Sequence, residues 1–257
     1  MIRSNKKYSY IPQKEPSKFP VVCMKIMENV LSLLYPDTCP VCGRITEEGI
    51  CQECREKLQY IDEPRCMRCG KPLEDETREY CYDCEHHRHF YERGYSLWVH
   101  KDAVKYSVYQ FKFHNRRIYG SFFANELLSR YGKSIIRWKI SLIIPIPLSR
   151  KKQKKRGYNQ AELIAVSLGR AMHIPVCTNG LKRVKDTKPQ KQLSMRERRK
   201  NLKDAFRWEK ALLEGENILL IDDIYTTGNT IDFAAIELKK AGASKVYFLT
   251  ISIGQGS

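Results

Sequence analysis

Short apolar runs alternate with segments of helical spacing over the second half of the chain. Residues 92–100 (ERGYSLWVH), 141–147 (SLIIPIP), 217–223 (NILLIDD) and 245–253 (KVYFLTISI) have strand length. SLIIPIP is a continuous apolar run and NILLIDD carries one, as expected of strands buried on both faces. Between them, Asp102 is placed to cap a helix over 103–113, and residues 121–132 read as a second helix closed by Gly132. Ala161, Ile164, Ala165, Leu168 and Met172 mark one face of a helix over 160–172, and Thr230–Ala241 forms another with Gly242 behind it. This alternation predicts an α/β fold, a mainly parallel sheet with helices on both faces, whose ligands sit beyond the carboxyl ends of the strands.

Before residue 91 the pattern is different, because cysteine replaces hydrophobic periodicity. Eight of the ten cysteines form four CxxC pairs: Cys39/Cys42, Cys51/Cys54, Cys66/Cys69 and Cys81/Cys84. Two thiolates of one tight turn can face one ion, and two such turns complete a tetrahedral four-sulfur site suited to structural Zn²⁺. Gly43 and Gly70 supply the positive-φ turn of such a knuckle. Four pairs imply two zinc ions. The short gap from Cys42 to Cys51 favours sequential pairing, with cross-bracing (first with third, second with fourth) as the alternative. In ICQECREKLQYI the second pair opens a helix. His86, His87 and His89 read as surface residues, since each ion already has four sulfurs; Cys23 and Cys177 read as packing residues.

Charge changes the picture again. Lys and Arg number 46 against 29 Asp and Glu, a formal net charge of +17, which favours polyanionic partners: nucleic acid, phosphorylated metabolites or an anionic membrane face. Six basic residues fall between 150 and 156, and ten lie between 181 and 203. No apolar run is long enough to cross a bilayer, and residues 1–20 lack the apolar core of a secretory signal, so the expected location is the cytosol, with the inner face of the membrane reached through partners.

Against this basic background, ILLIDDIYTTGNT (218–230) ends an apolar run in two adjacent acids. At the carboxyl end of a strand, Asp222 and Asp223 can accept hydrogen bonds from sugar hydroxyls. The amides and hydroxyls of Thr226, Thr227 and Thr230, with the dipole of the next helix, form a cup for a phosphate. Together they describe a ribose 5-phosphate. No GKT or GKS follows the glycine, so this is not a Walker loop.

The thirteen residues resemble the phosphoribosyl pyrophosphate (PRPP) signature of type I phosphoribosyltransferases. With PIPLSRKKQKKRGYNQAELIA, TKPQKQLSMRERRKNLKDAF and LSLLYPDTCPVCG, the chain resembles the ComF/GntX family of phosphoribosyltransferase-like proteins from about Met27 to Gly254. The resemblance implies a type I phosphoribosyltransferase-like sheet preceded by a double zinc-ribbon module: a flexible basic extension over 1–25, a helix plus zinc module over 26–90 and the transferase-like domain over 91–257. Residues before Met24 lie outside it and read as that extension or as a start codon assigned too early.

In that fold Asp222 and Asp223 hold the ribose 2′- and 3′-hydroxyls, with or without Mg²⁺ between. Tyr225, Thr226, Thr227, Gly228, Asn229 and Thr230 complete the PRPP site around the 5′-phosphate. Arg150, Lys151, Arg156 and Gly157 form the pyrophosphate loop, and Lys188, Arg196 and Arg199 belong to a flexible loop over the reaction centre. The catalytic nucleophile is unknown. Thr226 stands where some purine-salvage members have an acid, which disfavours purine salvage. The best-known family members serve DNA uptake in natural competence, so the implied partners are single-stranded DNA and competence or recombination proteins. A transferase acting on a small nucleophile and a non-catalytic PRPP-binding regulator are the alternatives.

Overall fold

The computed structural model describes residues 38–46, 49–185 and 205–254. The predicted extension over 1–25, Cys23, Lys188, Arg196 and Arg199 therefore lie outside the described residues. A four-stranded parallel sheet is built from β1 (Arg93–Val99), β2 (Leu142–Pro145), β5 (Asn217–Tyr225) and β6 (Lys245–Ile253), in the order β1-β6-β5-β2. β3 (Leu181–Arg183) and β4 (Phe206–Trp208) pair antiparallel beside it, an element the hydrophobic pattern does not announce.

Alternate strand residues feed two cores, which is why β5 reads as one apolar run. Leu219 and Ile221 pack with Leu127, Ile135, Ile164 and Leu168, from α4 (Tyr119–Arg137) and α6 (Gln160–Met172). Ile218 and Leu220 pack on the other face with Ile231, Ala234 and Leu238 of α7 (Asn229–Lys240). The helices on both faces are those the alternation predicts.

Local chemistry sets several boundaries. α5 (Arg150–Arg156) starts at Ser149, whose hydroxyl accepts from the Lys152 amide, and stops at Gly157 with φ +76°. Asn159 caps α6 through the Ala161 amide and also donates from Nδ2 to the Ile146 carbonyl at 3.0 Å, tying the loop after β2 to the next helix. Two expectations are corrected. α4 continues through Gly132 to Arg137, because Tyr131 and Ile135 extend its buried face past the glycine. Asp102 does not cap: it is the first residue of α3 (Asp102–Phe113), at φ +41°, and the helix start has no side-chain cap.

The cysteine segment has two short helices, α1 (Gln52–Lys57) after Cys51 and α2 (Tyr82–His86) after Cys81. Gly43 and Gly70 take φ +76° and +71°, as the knuckle reading requires. A Cβ on Gly70 would lie 2.9 Å from the Gly94 carbonyl oxygen, so the second ribbon rests directly on β1. No helix among the described residues is long and apolar enough to cross a membrane.

Candidate functional site

The strands β5 and β2 end side by side, and the chain leaving them builds one cleft of about 690 Å³. β5 contributes Asp222 and Asp223, the turn after it Thr226, and the start of α7 Thr230; the segment after β2 contributes Ile146, Pro147, Leu148, Lys152 and Arg156. α3 forms the facing wall with Tyr106, Tyr109, Lys112 and Phe113.

The two acids behave differently. Asp223 is held by Lys112, whose Nζ lies 2.8 Å from Oδ2, and Arg156 Nη1 stands 3.9 Å from the same oxygen. Asp222 Oδ1 accepts from the Asp223 amide at 2.8 Å. Loss of surrounding water, and then the neighbouring Asp223 carboxylate, push the Asp222 pKa up to about 7. Arg156 is itself positioned by Gln160, whose Oε1 accepts from its Nη1 at 2.9 Å.

Beyond the acids, Gly228 at φ +76° turns the chain into α7. Gly228 has no side chain, so the N-cap residue makes no side-chain bond to the start of that helix. The loop is supported from behind by the segment following the second ribbon. His89 Nδ1 donates to Asp232 Oδ2 at 2.7 Å, the Phe90 amide donates to Asp232 Oδ1 at 2.8 Å, and Tyr91 and Tyr225 share a hydroxyl hydrogen bond of 2.6 Å. Tyr225 also stacks on Phe248 with ring centroids 4.8 Å apart. Tyr225 is thus buried beneath the loop and outside the cleft lining, where it supports the cup. His89, expected at the surface, is instead buried, because Asp232 gives its ring a partner inside the fold. Cys177 is buried, as a packing residue should be.

Of the residues singled out in 150–157, Arg156 approaches Asp223, whereas Arg150, Lys151 and Gly157 are exposed on α5 and at its end. Lys112, Lys152, Arg183 and His89 went unrecognised as site residues. Nothing local in 103–113 separates Lys112 from its neighbours; only the packing of α3 across the cleft brings it to Asp223.

The cysteines form two groups, Cys39/Cys42/Cys51/Cys54 and Cys66/Cys69/Cys81/Cys84, with all four sulfurs of each within 4.8 Å of one another. Sulfur pairs at 3.6 Å, Cys42 with Cys51 and Cys69 with Cys81, match the edge of a tetrahedron with metal–sulfur bonds of about 2.3 Å. The donor set and spacing fit zinc, with sequential pairing.

Comparison with known proteins identifies the cysteine half and relates the chain as a whole to competence proteins. Residues 30–85 match the family described as a double zinc ribbon domain. The chain is 33% identical over 213 residues to competence protein ComFC of Bacillus subtilis strain 168, covering 80% of this chain and 84% of that protein. It is 30% identical over 214 residues to competence protein F of Haemophilus influenzae, covering 79% and 89%, and 28% identical over 220 residues to DNA utilization protein YhgH of Escherichia coli K12, covering 83% and 96%. Among solved structures it is similar to a purine phosphoribosyltransferase from Pyrococcus horikoshii, with TM-score 0.34 and 15% identity over 51% of this chain and 73% of that one.

Proposed function

The chain belongs to the ComF family of competence proteins, and from that membership we propose that it binds PRPP in the cleft between β5, α3 and α5 and assists the cytosolic handling of single-stranded DNA during natural transformation. One observation carries the PRPP reading: two acids at the carboxyl end of β5 lead through Thr226–Thr230 into the uncapped start of α7, inside a cleft walled by cations. The acids select the ribose diol, the Thr226–Thr230 cup takes the 5′-phosphate, and Arg156, with Lys152 beside it in the cleft lining, attracts the diphosphate. Mg²⁺ would accompany PRPP, held by the diphosphate oxygens, and would balance their charge.

For the DNA reading the support is the wall opposite. Tyr106, Tyr109 and Phe113 project from α3 about half exposed, and Lys155 and Arg156 lie 5.7 and 5.1 Å from the Phe113 ring centroid. Rings interleaved with cations suit bases that stack while their phosphates are neutralised.

Titration with PRPP tests the site. Asp223→Asn is expected to weaken binding by at least about tenfold, because it removes a charged acceptor from a partly enclosed site. Full affinity in that variant rejects the assignment. If the same cleft performs transfer to a small nucleophile, pyrophosphate appears when a panel of nucleobases is added to the PRPP complex; its absence favours the binding-only reading.

A further inference from the structure

Two neighbouring carboxylates that receive a sugar diol repel each other, and a divalent ion between them is one remedy. Here the protein supplies another. Lys112 Nζ sits 2.8 Å from Asp223 Oδ2, with the two side chains only 13% and 15% exposed, and Arg156 Nη1 stands 3.9 Å from that oxygen. On the other acid, Asp222 Oδ1 is engaged by the Asp223 amide. A magnesium ion seeks a near-complete octahedron of oxygens. Between these acids it would meet one oxygen of each already engaged, Asp222 Oδ1 and Asp223 Oδ2, and a partly enclosed ammonium in place of further oxygen ligands, so the donor set does not fit it.

The position of Lys112 is built into the fold. Phe111, the preceding residue, is fully buried, and its carbonyl accepts from Tyr158 Oη and from Gln160 Nε2. Gln160 also binds Arg156. One residue of α6 therefore holds the end of α3 and the neighbouring guanidinium together, and both cations converge on Asp223.

We propose that Lys112 is the resident counter-cation of the ribose-binding acids, so that this protein accepts the sugar diol without a divalent ion between Asp222 and Asp223. The inference rests on the PRPP reading of the cleft. The ammonium has three donors, which leaves it able to bind a sugar oxygen while still paired with Asp223. Divalent ion is then needed for the diphosphate alone.

Ribose 5-phosphate, which lacks the diphosphate, separates the two roles. Its affinity for the full-length zinc-loaded protein is measured by calorimetry in buffer freed of divalent ions over a chelating resin, with no chelator left in solution, and again in excess Mg²⁺. The expected result is a change of less than about twofold for the wild type, a loss of about tenfold for Lys112→Met without Mg²⁺, and recovery of that variant when Mg²⁺ is added. Lys112→Arg keeps the charge and should remain independent of Mg²⁺. Wild-type binding that collapses without Mg²⁺ overturns the proposal. So does a Lys112→Met variant that binds like the wild type without Mg²⁺, or that stays weak in both conditions. If the wild type binds neither ribose 5-phosphate nor PRPP under any condition, the PRPP reading itself fails and takes this inference with it.

Discussion

Asp222 shows how a binding residue is maintained against its own stability. Its pKa lies at about 7 rather than at the ordinary 3.8, so the native state holds that proton more tightly than the unfolded chain does. The associated stability is fully present below the ordinary value and is lost as pH rises to about 7. Asp222→Asn removes a poorly solvated charge. In thermal melts without ligand it should be more stable than the wild type above neutral pH by on the order of 1–3 kcal/mol, a rise of several degrees in Tm, and the difference should shrink on acidification. The same variant should bind PRPP more weakly. Gly228 is the second constrained position: a Cβ there would lie 2.5 Å from the Tyr225 hydroxyl and 3.2 Å from His89 Cε1, in a backbone region that costs an L-residue about 1–2 kcal/mol. Gly228→Ala should lower PRPP affinity while leaving the zinc content of purified protein unchanged.

At the scale of elements, the important junction lies between the second ribbon and the start of α7. Asp232 accepts from His89 and from the Phe90 amide, and Tyr91 meets Tyr225, so the segment after Cys84 supports the base of the phosphate cup. Cys66, Cys69, Cys81 and Cys84 share a core with Tyr91, Tyr225 and Phe248. His89→Ala leaves the Asp232 carboxylate with an unsatisfied buried oxygen, at a cost of about 1–3 kcal/mol. Its PRPP affinity should fall along with its Tm, although His89 does not line the cleft. Equal affinity for PRPP in His89→Ala and wild type, measured well below the melting temperature, would show that the cup stands without this support.

Over the whole molecule, each cysteine group is packed into a core shared with one face of the sheet: Cys39 and Cys54 in one, Cys66, Cys69, Cys81 and Cys84 in the other. Native mass spectrometry should find two zinc ions per chain, and a strong chelator should lower PRPP binding as well as stability, since metal-bound cysteines carry folding free energy. A net charge of +17 leads to a separate expectation. Binding of single-stranded DNA, followed by fluorescence anisotropy, should weaken steeply with salt through counterion release. Tyr109→Ala should weaken it further by about 1–3 kcal/mol if a base stacks there. Affinity that does not depend on salt would argue against the basic cleft wall as the DNA surface.

The amino-acid sequence by itself determined the parts whose chemistry is local. Four CxxC turns specify two sulfur sites, the apolar runs specify strands, and an acid pair followed by TTGNT specifies a strand end turning into a helix, because each needs only neighbours a few residues away. Sequential zinc pairing was favoured by spacing, but only the grouping of the sulfurs excluded cross-bracing. Tertiary structure alone decided what crosses the sheet. β1 and β2 lie at opposite edges with β6 and β5 between them, and α3 and α4 carry the chain from one edge to the other. That path sets Lys112 beside an acid more than a hundred residues away and places His89 behind the phosphate loop. Periodicity records which side of an element is buried; it carries no record of which distant side chain will be buried against it.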